Sequence, residues 1–255
     1  MNLKRLLVRM GDEPPASMRF ESVSRTDVGL RRKINEDSVF ADPERGLWAV
    51  ADGMGGHEAG EVASNMVTDA LRCLPVVSDI DELMERTAEA LRQVNRDLVE
   101  LARSSARPGQ TIGTTVVGLA IAEGSFRCFW LGDSRAYRLR DGKITRLSRD
   151  HSLVQNLVDA GMLSPEEAET HADASVITRA VGAAEAINPD IIDGDVRPGD
   201  RFLLASDGLT RVVRDNELAA ELQSGPPAQA ADRLIETVLA RGAPDNVSLI
   251  IVNVV

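Results

Sequence analysis

The stretch WAVADGMGGHEAGEVAS, Trp48 to Ser64, holds the transition on which the reading of this chain turns. An apolar run, Leu47-Trp48-Ala49-Val50-Ala51, meets Asp52, crosses Gly53, Gly55 and Gly56, reaches His57 and then becomes helical in pattern. A glycine-rich turn from strand to helix commonly receives a phosphate on its backbone N–H groups, yet Asp52 would repel that anion. The spacing fails too: a dinucleotide fingerprint needs glycine where Glu58 stands, and the Lys-Ser/Thr of a P-loop is missing. A cation must sit between Asp52 and any phosphate bound there.

Asp-Gly is also common hairpin punctuation, and four such pairs occur. Asp141-Gly142 lies between the alternating segments RAYRLR and KITRLS and reads as a turn, as does Asp193-Gly194 within PDIIDGDVRPGD. Asp52-Gly53 and Asp207-Gly208 differ, because each follows a continuous apolar run (LWAVA, RFLLAS) of the kind buried in a sheet, which puts the carboxylate at a strand end.

The 255 residues are 43% hydrophobic, enough for a sizeable core, and no linker, repeat or low-complexity segment divides them. One domain is expected over 19–255, preceded by a loosely attached tail, 1–18, too short and too charged in its apolar part for a signal peptide. A net charge of −11 disfavours nucleic acid and anionic membranes but suits a cation-collecting site. Cys73 and Cys128 lack metal-ligand spacing and no segment has the length of a membrane span, so a protein of the reducing cytoplasm is expected.

Ala59, Val62, Ala63, Met66, Val67, Ala70, Leu71 and Leu74 mark one face of a helix over 58–74, and Leu83, Ala90, Leu91, Val94, Leu98 and Leu101 the inward face of a second over 79–103. The period then changes: TTVVGLAIA, FRCFWLGD, RAYRLR and KITRLS read as consecutive strands of an antiparallel sheet. Helix returns over 150–180, with a stop at Gly161 and a capping box on Ser164, Pro165 and Glu167. Strands resume near 191–196 and 201–205, helices fill 214–241, and VSLIIVNVV closes as a strand. Strands and helices arrive in blocks, which predicts an α+β fold with antiparallel sheets covered by helices.

Asp52, Asp133 and Asp207 each end an apolar run, Asp245 precedes the last one, and Glu36-Asp37 closes the polar stretch RRKINED. Carboxylates from several strand ends can meet at one rim. Oxygen ligands without a His/Cys cluster suit a hard cation, Mg²⁺ or Mn²⁺, and two such ions bridged by Asp52 would acidify a shared water and hold a phosphoryl group. The glycines would bring the Gly53 carbonyl into the coordination.

The segments TDVGLRRKINEDS, VADGMGGHEAGEVAS, GTTVVG, LGDSRAYRLRDGKITRLSRDHSLVQNLVDAG, ITRAVG, LLASDGLT and DNVSLIIV stand in the order found in the metal-dependent (type 2C, PPM) Ser/Thr protein phosphatases, in their bacterial form. The resemblance covers about residues 19–255. It implies a four-layer αββα sandwich of two antiparallel sheets flanked by helices, with two Mn²⁺ or Mg²⁺ ions at one end and a third, weaker one. By motif, Asp52 corresponds to the bridging ligand, Asp207 and Asp245 to ligands of the first ion, and Glu36 and the Gly53 carbonyl to neighbours of the second. Asp133 corresponds to a ligand of the third ion, with Asp37 and Asn246 beside the ligand set. Arg32 corresponds to the arginine that grips the substrate phosphate, and 148–180 to a mobile flap.

Two departures stand out. Eukaryotic relatives place a histidine, a candidate general acid, two residues after the bridging aspartate. Here that position is Met54, and the histidine is His57, as in bacterial relatives, with helix capping or contact to a metal-held water as its alternatives. Arg211 stands where an aspartate is usual; it either points toward the third-ion position, or faces solvent or pairs with Asp215. The resemblance implies a monomeric phosphatase in signalling, acting on phosphoserine or phosphothreonine in proteins that a Ser/Thr kinase modifies. Metal-activated water would attack directly, without a covalent intermediate. A non-catalytic regulator that binds a phosphoprotein or kinase, and a hydrolase of small phosphoesters, are the alternatives.

Overall fold

Strands of continuous apolar sequence need cover on both faces, and the chain provides it by stacking two sheets and then closing each outer face with helices. The computed structural model describes residues 18–55, 58–105 and 111–255, so the expected tail apart from Met18, and His57, lie outside the described residues. The first half runs β1 (Phe20–Asp27), β2 (Asp37–Asp42), β3 (Leu47–Met54), α1 (Glu58–Arg72), α2 (Ile80–Ser104), β4 (Gly113–Thr114), β5 (Val116–Ala122) and β6 (Ser125–Leu131). The second runs β7 (Arg135–Arg140), β8 (Lys143–Arg146), α3 (Leu153–Asp159), α4 (Pro165–Glu169), β9 (Asp190–Asp195), β10 (Arg201–Ala205), α5 (Asp207–Thr210), α6 (Asp215–Gln223), α7 (Pro227–Ala240) and β11 (Val247–Val254).

One sheet has the order β1-β11-β10-β7-β8, the other β2-β3-β5-β6-β9 with β4 added to β3, and the neighbouring strands pair antiparallel. Side-chain alternation sorts each strand between two cores. In β3, Trp48 and Val50 face the other sheet and meet Phe202, Leu204, Ile250 and Val252. Leu47, Ala49 and Ala51 of the same strand face Ala63, Val67 and Leu71 of α1 and Leu83 and Leu91 of α2. On the far side, Leu203, Leu249 and Ile251 pack on Leu218, Leu234 and Val238 of α6 and α7. Three cores separate four layers, as the resemblance implies, and Met18 already packs against the middle one.

Several local expectations need correction. β6 and β7 are consecutive but belong to different sheets, because the chain changes sheet through Gly132-Asp133-Ser134. Asp193-Gly194 is no turn: both residues pair within β9, at the edge of the six-stranded sheet, with Gly194 opposite Phe126. A side chain at 194 would collide with that ring, since a Cβ would stand 2.6 Å from it. Helix over 150–180 stops at Glu169, after the capping box on Ser164 and Glu167, and the chain from 170 onward forms turns. On α2 the buried stripe runs through Leu91, Val94, Asn95 and Leu98 to Ala102, leaving Leu101 at its side 41% exposed, and Val62 on α1 is likewise 43% exposed.

Leu98→Ala should therefore cost about 2–5 kcal/mol in urea unfolding, as for a fully buried leucine, and Leu101→Ala within about 0.5 kcal/mol. Equal losses at the two positions would contradict the orientation of α2.

Candidate active site

Antiparallel pairing brings the C-terminal ends of β3, β6 and β10 to the same rim as the N-terminal ends of β2, β7 and β11. The acidic residues follow. Asp37 opens β2 and lies directly opposite Asp52 of β3. Asp133 sits in the link between the sheets, Asp207 opens α5 just after β10, and Asp245-Asn246 lead into β11. β3 does not stop at Asp52 as its sequence suggests; it continues through Gly53 and Met54, which pair with Thr114 and Gly113.

Gly53 serves packing here. A Cβ on it would lie 2.1 Å from the Gly60 carbonyl oxygen, and one on Gly60 would lie 2.5 Å from a carboxylate oxygen of Glu36. The first turn of α1 thus presses on the strand and leaves room for Glu36 between them. The Gly53 N–H donates to the Glu36 carbonyl at 3.0 Å. Asn246 organises the loop that carries Arg32: its Oδ1 accepts from the Glu36 N–H at 2.9 Å, and its Nδ2 donates to the carbonyls of Val28 and Ile34.

Crowded, buried carboxylates resist ionisation, since burial penalises the charge and each neighbour adds repulsion. Burial pushes Asp37 up to about 7 against hydrogen bonds from Ser248 and Ser206, with Asp207 and Asp245 adding to the rise. Asp133 is also pushed up to about 7, by burial first and Asp207 next, with Arg211 opposing. Asp52 is raised well above the carboxylate range by burial and then by Asp37, Asp207, Asp133 and Asp245. Burial raises Asp207 as well, and burial outweighs the pull of Arg32 on Glu36.

Two arginines enter this cluster. Arg32 Nη2 meets Asp245 Oδ2 at 2.8 Å, with half of its side chain exposed. Arg211 contacts Asp133 Oδ2 at 3.1 Å and Asp207 Oδ2 at 3.0 Å, while Asp215, its alternative partner, accepts from the Tyr137 hydroxyl at 3.0 Å. Hydroxyl groups not singled out in the sequence hold the carboxylates' surroundings: Ser206 donates to Asp37 at 2.9 Å, and Thr115 and Ser134 join across the two sheets at 2.7 Å beside Asp52 and Asp133. Thr115, Ser134 and Ser206 fall within the quoted segments GTTVVG, LGDSRAYRLRDGKITRLSRDHSLVQNLVDAG and LLASDGLT, which was the available signal. His57 lies outside the described residues, and nothing in the described contacts of Gly53 assigns its carbonyl to an ion.

The donor set fits a divalent cation. Glu36 Oε1, Asp37 Oδ1 and Asp133 Oδ1 are buried without a hydrogen-bond partner, and buried acceptors left so are costly unless a donor or cation reaches them. All are oxygens, the ligands of Mg²⁺ and Mn²⁺. As the side chains stand, no three His, Cys, Asp or Glu among the described residues close into a ready ion cage, with Arg32 and Arg211 supplying the positive charge instead.

A family model for protein phosphatase 2C matches residues 31–247, and thus every carboxylate of the rim. The chain belongs to the protein phosphatase 2C family. A similar member is the serine/threonine protein phosphatase PstP of Mycobacterium tuberculosis, 41% identical over 233 residues that make up 91% of this chain and 44% of PstP. The chain thus spans less than half of that relative's length. Protein phosphatase PhpP of Streptococcus pneumoniae is 36% identical over 235 residues, 89% of this chain and 95% of PhpP. Among solved structures of this phosphatase 2C fold, the catalytic domain of PstP in complex with 2 manganese ions superposes with a TM-score of 0.84 at 38% identity, covering 94% of this chain and 100% of that domain. PppA, described as a key regulatory component of T6SS in Pseudomonas aeruginosa, gives 0.85 at 40% identity over 93% of this chain and 98% of its own.

The raised Asp37 sets a pH test for this member of the family without metal. Its carboxyl releases its proton near 3.8 when unfolded and at about 7 when folded, so its contribution to stability is present below the first value and lost as pH rises through the second. In chelator, Asp37→Asn should gain on the wild type by a few kcal/mol between pH 4 and 8, at about 1.4 kcal/mol per tenfold change in proton affinity. A difference in urea unfolding free energy that stays flat with pH would show that Asp37 ionises freely.

Proposed function

We propose that the chain is a divalent-metal-dependent phosphoprotein phosphatase that hydrolyses phosphoserine and phosphothreonine. The observation that carries this is the gathering of Asp52, Asp133 and Asp207, all buried or nearly so, with Glu36 and Asp245 on one rim where acceptor oxygens await a cation, in a member of this family. Asp52 would bridge two ions, Asp207 and Asp245 would hold the first, and Glu36 and the Gly53 carbonyl would stand beside the second. When bound, such a pair makes water nucleophilic at neutral pH and neutralises charge on the transferring phosphoryl group.

The protein's own groups do the rest. Arg32, a planar bidentate donor whose side chain is 49% exposed beside Asp245, orients the phosphate. Asn246 keeps Arg32 and Glu36 on one clamped loop. His57 is the candidate donor of a proton to the leaving alkoxide. The rim carries exposed Leu30 and Ile34 beside Arg31, Arg32 and Lys33, and the cavity of about 400 Å³ lined by Val99, Arg103, Thr111 and Glu185 includes none of the acidic cluster. An open rim favours a protein segment over a small phosphoester held in a deep pocket. A binding-only regulator would have no use for Asp52, Asp207 and Asp245 together.

Among the described residues no helix is long and apolar enough to cross a membrane. We take the chain to be a monomer of a bacterial cytoplasm that opposes a Ser/Thr kinase in signalling: the relatives are Ser/Thr protein phosphatases of bacteria, and helices cover the outer faces of both sheets.

The purified chain should release phosphate from a phosphothreonine peptide with Mn²⁺ and lose that activity in EDTA, and Asp52→Asn should cost about 10²-fold or more in kcat. Arg32→Ala should raise KM, with Arg31→Ala near wild type. Full turnover in chelator would refute the metal-dependent reading, and equal effects of the two arginines would reduce Arg32 to bulk charge.

A further inference from the structure

Arg211 is bound in a way that its position in the sequence does not require. It caps α5, its backbone N–H closing on the Asp207 carbonyl at 2.9 Å. From there the guanidinium reaches three groups on three different segments. Nε meets Asp207 Oδ2 at 3.0 Å, Nη2 meets Asp133 Oδ2 at 3.1 Å, and Nη2 also donates to the Ala174 carbonyl at 3.2 Å. The two carboxylate side chains are only 15% and 5% exposed, so water screens the pairing poorly. Ala174 belongs to the segment 148–180, whose base is tied to the sheet link by His151: its N–H donates to the Gly132 carbonyl at 2.9 Å and its Nδ1 accepts from the Gly132 N–H at 3.1 Å. The segment closes on itself where Thr178 N–H donates to the His151 carbonyl at 2.8 Å. Its far turn, 170–176, is held from across the site by Arg211.

We propose that Arg211 is a resident cation filling the gap between Asp133 and Asp207, and a strut that positions the 148–180 segment over the acidic rim. A guanidinium suits both tasks: it carries its charge at every accessible pH, and its rigid fork spans separate acceptors where a lysine would offer one point. While Arg211 is in place, a divalent ion has no room between these two carboxylates, so the chain holds two ions and no third. Segment position is then set by a covalently attached charge and stays independent of metal concentration.

The metal count rests on the proposed function, but the test reads no turnover, so the two can fail separately. Equilibrium dialysis against saturating Mn²⁺, followed by metal analysis, should give two ions per wild-type chain and three for Arg211→Asp. In the metal-free protein, amide exchange of residues 170–178 should quicken at least about tenfold in Arg211→Ala, with β10 and β11 unchanged. Three ions on the wild type would overturn the resident-cation role. Unchanged exchange at 170–178, or acceleration spread equally over β10 and β11, would overturn the strut. A wild type that binds no Mn²⁺ would refute the proposed function, and with it the ion count, while the exchange measurement still decides the strut.

Discussion

Mutual repulsion among buried carboxylates is the constraint to which the rest of this structure answers. Asp37, Asp52, Asp133 and Asp207 come from both sheets and meet where little water reaches. Left to itself such a group drives its own strands apart, and an unpaired buried charge costs several kcal/mol. The sandwich holds it by brute packing: three apolar cores grip the strands that carry the acids. Serine and threonine hydroxyls then distribute what charge remains, and arginines on flanking loops lend positive charge. Stability spent in this way is what a site for cations requires, since a comfortable carboxylate would have little to gain from binding one.

Much of this was legible in the residues. Helical periodicity gave α1 and α2, apolar runs gave β3, β10 and β11, and the aspartates at the margins of those runs gave the rim. Alternation names two faces of a strand and not the sheet to which it belongs, so the transfer from β6 to β7 at Gly132-Ser134 was invisible. Asp193-Gly194 misled because a dipeptide has the same composition in a turn and at a strand edge; the Phe126 ring, distant in sequence, decides between them. Leu101 and Val62 match the helical period, yet lie at the margins of faces whose width depends on the sheet beneath.

The orientation of Arg211 shows where local reasoning ends. Acidic residues stand four positions away on both sides, Asp207 and Asp215, and a pairwise helix rule cannot choose between them. The fold chooses, because α5 is only 4 residues long and ends at Thr210, so that Arg211 turns back along its own helix, and Tyr137 from the sheet claims Asp215. Similarly, Asn246 stands in the sequence as a neighbour of Asp245, but in the fold it clamps a loop more than two hundred residues away through a single amide.

β11 lies in the middle of its sheet, between β1 and β10, although it is the last strand in the chain. Of this domain's strands, β1 is made before all the others and pairs only with the one made after them, Phe20 lying opposite Val254. Asp245 is held back with it. The helices can pack on β3 early, but the acidic rim stays incomplete until β11 pairs with the edge at β10 and brings β1 in beside it, a non-local step of the kind that folds slowly. The acidic rim is therefore completed in one step, with the closing of the five-stranded sheet.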